Sequence, residues 1–221
     1  PITKMKQIPL FFLGLLSTTL IFTACDDSSD DPGPSGPIEA QTATNIPADA
    51  NAVSGDPSQA PPPNFTLFSL ETGEIVNDTD SASNLWDIGL AGTTIIINGG
   101  TSGPGEAQAQ VINGIFDEVT EAPETGYQAD NETGLAIPAG SGNGWYNYTG
   151  EGNPPQAIIP IPGRIIVLKT AQGNYAKMEI LSYYEGNPDT SSSEFVSFQT
   201  RPAGRHYTFN YVVQPNGSRN F

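Results

Sequence analysis

The sequence predicts an all-β protein: a single, mostly antiparallel domain of many short strands. Three observations carry this. No long stretch shows helical periodicity. Gly, Pro, Asn, Ser and Thr break the chain about every ten residues, and short runs rich in β-branched and aromatic residues lie between the breaks. That pattern of brief strands between turn signals suits antiparallel pairing, because hairpins need only short connections.

The first segment reads as a secretory leader, residues 1–24. Lys4 and Lys6 form a short basic region, Ile8 to Phe22 an uncharged apolar stretch, and Thr23 and Ala24 a small-residue approach to Cys25. The apolar stretch falls short of the roughly 20 residues that span a bilayer. Cys25 is the chain's one cysteine and follows the small residues directly. FTAC resembles the lipobox of bacterial lipoproteins, with Phe22 where leucine is usual. Cys25 is therefore the expected lipid attachment point, since two acyl chains give stable membrane anchoring. The plainer alternative is an ordinary cleaved leader followed by a stray cysteine. With one cysteine there is no intramolecular disulfide, and the fold must stand on its hydrophobic core.

Residues 25–63 read as an acylated cysteine followed by a disordered tether. Asp26, Asp27, Asp30 and Asp31 form an acidic run, which reads as a solvated linker or, by resemblance, as the acidic surface-export signal of Bacteroidetes lipoproteins. From Pro32 to Pro63 the chain is Pro, Gly, Ala, Ser, Asp, Gln and Asn with hardly a large apolar residue, too little to offset ordering entropy. The net charge of −16 makes phosphate backbones repulsive, so nucleic acid is excluded as a partner.

Residues 64–221 make the folded domain, long enough for a proper core. Strands are expected at Thr66–Leu70, Trp86–Leu90, Thr93–Ile97, Gly144–Tyr148, Arg164–Thr170, Tyr175–Tyr184, Glu194–Gln199 and Tyr207–Gln214. The connection Ala-Gln-Gly-Asn between the fifth and sixth of these reads as a hairpin, with Gly173 available for positive φ. In the last strand Tyr207, Phe209, Tyr211 and Val213 alternate with Thr208, Asn210 and Val212, as in a sheet that buries one face. Val111–Val119 reads as at most a helical turn.

Catalytic chemistry finds little support, and the chain reads as a non-enzyme. His206 is the one histidine and sits at the start of a strand, where facing solvent is the ordinary outcome. Zinc or copper sites need clustered imidazole or thiolate ligands that the sequence lacks. Asp78 and Asp80 resemble a fragment of a calcium loop without its remainder. The glycine-rich Asn98–Ala107 lacks the Lys-Ser/Thr ending of a phosphate loop and reads better as a wide turn.

The order of four stretches resembles the HmuY family of haem-binding surface lipoproteins of Bacteroidetes. They are NLWDIGLAGTTIIINGGTSGPGEA (Asn84–Ala107), GWYNYTG (Gly144–Gly150), RIIVLKTAQGNYAKMEILSYY (Arg164–Tyr184) and YTFNYVVQPNGS (Tyr207–Ser218). The resemblance implies an all-β fold with haem gripped between two groups of strands. It also implies outer-membrane anchorage at the cell surface and delivery to a TonB-dependent outer-membrane receptor.

The haem ligands do not carry over. The family's histidine pair would fall in Gly126–Asn143 and near Thr149–Gly150, and neither place holds a histidine. A methionine pair is equally out of reach, because Met178 is the one methionine beyond the leader. Four residues remain as haem contacts: Tyr146 and Tyr148 as tyrosinate ligands, and Met178 with His206 as a mixed pair. The tyrosines and Met178 have a structural alternative in strand packing, and His206 in simply facing solvent. Two functions stay open: a haem or tetrapyrrole scavenger with ligation unlike the family's, and a binding or scaffolding lipoprotein that keeps the fold without the ligands.

Overall fold

The computed structural model describes residues 38–49 and 63–221. The expected leader, Cys25, the acidic run and most of the expected tether lie outside the described residues. Among the described residues eleven strands form three sheets, and their antiparallel pairing agrees with the all-β, mostly antiparallel class that the sequence predicts. The largest is ordered β1 (Gln41–Pro47), β11 (Gly204–Gln214), β10 (Tyr175–Tyr184), β9 (Arg164–Lys169) and β6 (Gln108–Asn113). A four-stranded sheet runs β3 (Glu74–Val76), β2 (Thr66–Ser69), β4 (Ile88–Ala91) and β5 (Thr94–Ile97). The third is a separate hairpin of β7 (Tyr146–Tyr148) and β8 (Ile158–Pro160), here called the finger.

The main core lies between the two larger sheets. Phe68, Leu70, Ile88, Leu90, Ile95 and Ile97 of the smaller sheet and its margins pack with Ile166, Leu168, Met178, Phe209 and Tyr211 of the larger. Phe68 meets Phe209 edge-on at 5.4 Å between ring centroids, a favoured aromatic geometry. The larger sheet buries its other face as well, which the alternation in β11 did not announce. There Val212, Ile165 and Val167 pack under Phe116 and Ala122, with Tyr127, Tyr175 and Phe221 at the margin. Lys177 points into this second layer and donates to the carbonyls of Phe116 (2.6 Å) and Val119 (3.0 Å). Those bonds satisfy a buried ammonium, whose pKa burial nonetheless lowers.

Three expectations are corrected. Part of the expected tether is strand β1, antiparallel to β11 along one edge of the large sheet. As an edge strand it needs few large apolar residues: Ala43 and Ala48 are buried and Ile46 packs against the core. Its register shifts between Ala43 and Ile46, around Asn45 at φ 54°, a bulge that blunts the edge. The expected strand Glu194–Gln199 is instead a helical turn, α1 (Ser193–Val196). Ser192 caps it by accepting from the Phe195 N–H at 3.2 Å, and Phe195 alone is buried. Within Val111–Val119, Val111 to Asn113 belong to strand β6, and only Phe116–Glu118 makes a helical (3₁₀) turn.

Other readings hold. The β9–β10 connection is a hairpin with Gly173 at φ 87°. Asn98–Ala107 is a wide turn: Asn98 donates to the carbonyls of Ser83 (2.9 Å) and Trp86 (2.8 Å) and accepts from the Gly105 N–H (2.9 Å). At Gly100, φ is 64° and a Cβ would overlap the Asp130 carbonyl, so glycine is required there.

Buried carboxylates join elements that are far apart in sequence. Asp87 accepts from Leu70 N–H at 2.8 Å and from Ala171 N–H at 3.2 Å, tying β2 to the β9–β10 turn. Burial pushes its pKa up from 3.8 to about 6, with the nearby Glu71 carboxylate adding to the rise and the backbone donors opposing it. Between these two values the folded state holds a proton that the unfolded state has lost, so stability falls as pH rises from about 4 to about 6. A shift of this size corresponds to about 3 kcal/mol. Denaturant unfolding of wild type and Asp87→Asn across this range should show their stability difference moving against wild type as pH rises. A pH-independent difference would contradict the assignment.

Candidate functional site

The finger is built from the GWYNYTG segment. Tyr146 pairs with Pro160 and Tyr148 with Ile158. Thr149 closes its loop: the hydroxyl donates to the Pro154 carbonyl (2.6 Å) and accepts from the Ala157 N–H (2.8 Å). The preceding loop folds back onto β7, with Gly142 N–H donating to the Tyr146 carbonyl (2.8 Å) and Tyr148 N–H to the Ser141 hydroxyl (2.7 Å). Arg201 braces the tip by donating to the carbonyls of Phe195 (2.8 Å), Pro155 (2.8 Å) and Gln156 (3.2 Å).

At the base of the finger the aromatic residues gather. The Trp145 ring lies 4.8 Å from Tyr146, 5.1 Å from Tyr207 and 6.1 Å from Tyr183, centroid to centroid. Trp145 Nε1 donates to the Thr93 carbonyl (3.1 Å) and the Tyr207 hydroxyl to the Gly92 carbonyl (3.0 Å). Gly92 N–H in turn donates to the Ala48 carbonyl (2.9 Å). One turn, between β4 and β5, is thus held by the finger, by β11 and by the residue after β1. Burial pushes the Tyr183 hydroxyl up to about 12 and that of Tyr207 well above its ordinary value. Both stay protonated at neutral pH and do not offer a phenolate.

The four residues singled out from sequence are not gathered in one place. Tyr146 is buried in the aromatic cluster, while Tyr148 is 50% exposed on the finger. Met178 is fully buried in the main core, between Ile166 and Tyr211 on neighbouring strands. His206 is half-buried at the start of β11, its Nδ1 2.8 Å from the Gly204 carbonyl. Sequence reasoning missed Trp145, Tyr183 and Tyr207 as one unit, since nothing in their separate runs says that three sheets meet there. Haem iron takes His, Met, Cys or Tyr ligands. Of the four, Tyr148 is the one with an exposed side chain.

Two clefts adjoin this region. One, of about 400 Å³, lies along β8 and is walled by Ile159, Ile161, Ile180, Leu181 and Pro188. The other, of about 290 Å³, lies between β6 and the loop 126–143 and includes Leu135, Pro138, Asn143 and Arg164.

A family model described as HmuY protein matches residues 62–199, over half the chain. The chain belongs to the HmuY family. The HmuY match takes in the finger and both clefts, while β1 and β11 lie outside it. Among solved structures, the apo HmuY analog TFO of Tannerella forsythia is 15% identical, with 80% of this chain and 96% of that one covered at a TM-score of 0.45. Apo PinO of Porphyromonas gingivitis is 13% identical, with 79% and 97% covered at 0.48. A protein described as a HmuY-like haem-binding protein of Bacteroides vulgatus is 16% identical, with 78% and 91% covered at 0.45. No curated protein matches the chain.

Trp145 should be the most sensitive position of the finger. Trp145→Ala is expected to lose about 3–5 kcal/mol of unfolding free energy. Trp145→Phe, which keeps an aromatic ring but removes the bond to Thr93 and part of the buried volume, should lose less, about 2 kcal/mol. Denaturant unfolding distinguishes the two, and equal effects would mean that the retained phenyl ring contributes nothing to the cluster.

Proposed function

We propose that this HmuY-family chain is a lipoprotein, anchored to the outer membrane through acylated Cys25 and displayed at the cell surface. There it binds haem or a related tetrapyrrole on its finger and passes it to a TonB-dependent outer-membrane receptor. It acts by binding, not by catalysis. The observation that carries this reading is Tyr148: a large aromatic side chain left half exposed on a finger whose neighbouring Trp145 and Tyr146 are buried. A protein that leaves such a group in water offers a flat surface for a flat ligand.

Size argues for a rim-bound mode. The adjoining clefts, about 290 and 400 Å³, stand at the small end of ligand pockets, which run to about 1,000 Å³. A macrocycle would lie with one face on the finger and an edge in a cleft. Tyr148 would stack on it or bind its iron as a tyrosinate.

A second reading is favoured by the placement of Met178 and His206. Met178 is fully buried, and one ring nitrogen of His206 is engaged by a backbone carbonyl. On that reading the HmuY fold serves a non-haem ligand or a partner protein.

Titration of haemin into the mature chain, followed in the Soret region, separates the readings. The haem reading expects a shifted Soret band saturating at one equivalent, with the shift lost in Tyr148→Phe if the phenolate binds iron. A shift retained in Tyr148→Phe and weakened in Tyr148→Ala would assign stacking instead. A spectrum that stays that of unbound haemin at micromolar protein rejects the haem reading in favour of the second.

A further inference from the structure

We propose that Arg164 holds a carboxylate of the bound ligand in the cleft between β6 and the loop 126–143, so that the site selects a dicarboxylic tetrapyrrole over its neutral ester. This rests on the tetrapyrrole reading and adds to it the group that recognises the ligand's charged edge.

The position of Arg164 follows from strand periodicity. On the inner face of the β6–β9 pair, Ala109 lies opposite Leu168, Val111 opposite Ile166 and Asn113 opposite Arg164. Leu168 and Ile166 are fully buried in the main core. Two residues further on, the same face carries a half-buried guanidinium where the core runs out into the cleft. The cleft's other walls include Val111, Leu135 and Pro138 beside the amide side chains Gln110, Gln128 and Asn143, and Arg164 is its one charged lining residue. A polar-sided cleft with a single cation and no carboxylate in its lining suits the charged edge of a ligand whose apolar ring lies outside it, on the finger.

The backbone adds polar groups to the same place. Ala109 exchanges both of its backbone hydrogen bonds with Gln128, on the side of β6 away from β9. Bonding alternates along an antiparallel strand, so the N–H and C=O of Val111 face the same outer side. No backbone partner takes them there among the described residues.

The protein's other cations show why this one is notable. Of eight lysines and arginines, Lys4 and Lys6 lie in the leader. Lys177, Arg201 and Arg205 donate to backbone carbonyls. Arg219 pairs with Glu121 (2.7 Å) and Glu124 (3.1 Å). Arg164 and Lys169 alone make no side-chain hydrogen bond or ion pair among the described residues, and Lys169 is exposed at the far end of β9. In a chain of net charge −16, an arginine without an ion pair among the described residues is available to a ligand's carboxylate, which its planar fork grips through two donors.

The test compares protoporphyrin IX with its dimethyl ester, titrated into the mature chain and read by porphyrin fluorescence. Wild type should bind the diacid about tenfold more tightly than the diester, the size of one charge-assisted contact. Arg164→Gln should erase that preference. Lys169→Gln, which removes the same charge from the same strand, should keep it, and both variants should melt as wild type does. Equal binding of diacid and diester by wild type, or a preference that survives Arg164→Gln, overturns the role of Arg164 while the tetrapyrrole reading stands. Failure of both porphyrins and of haemin to bind overturns both.

Discussion

The turn between β4 and β5 is where the structure is held together. The Gly92 carbonyl accepts from Tyr207 of the large sheet, and the Thr93 carbonyl from Trp145 at the base of the finger. Gly92 N–H donates to Ala48, just past β1. The Trp145, Tyr146, Tyr183 and Tyr207 rings close around that point. A two-stranded hairpin is marginal on its own in water. The finger persists because its first aromatic residues are part of the core, and the exposed Tyr148 and the clefts owe their positions to that attachment.

A second set of contacts secures other junctions. Asp87 joins β2 to the β9–β10 turn, and Asp130 joins β5 to the loop 126–143 by accepting from Ile97 N–H (3.0 Å) and Ala136 N–H (2.8 Å). Both carboxylates satisfy backbone donors that would otherwise be buried and unpaired. Asp130 matters to the site because the loop it fixes walls the cleft at Arg164. In place of a disulfide, the chain uses buried polar bonds to fix its irregular segments against one another.

The strands were legible where their side chains alternate or are uniformly apolar, as in RIIVLKT and YTFNYVVQ. They were not legible where backbone pairing to a neighbour does most of the work. β1 offers Ala43, Ile46 and Ala48 to the core and little else, so composition alone reads it as tether. β6 turns Ala109 and Val111 inward, too small a signal beside two glutamines. At Glu194–Gln199 the aromatic residues mislead, because the serines before them cap a helical turn. For the candidate site, the finger and its tyrosines could be read from GWYNYTG. The aromatic cluster could not, since Trp145, Tyr183 and Tyr207 meet only through the pairing of distant strands. Arg164 was invisible for the same reason: its meaning lies in the one loop that passes beside it.

The functional account therefore depends on a finger that is rigid at its base and open at Tyr148. Hydrogen exchange resolved along the chain tests this most directly. If the aromatic cluster makes the finger part of the cooperative fold, its cross-strand amides, those of Asn147, Thr149, Ile159 and Ile161, should be protected nearly as well as those of β10 and β11, and lost with them in denaturant. A finger whose amides exchange freely while β10 and β11 remain protected would contradict it.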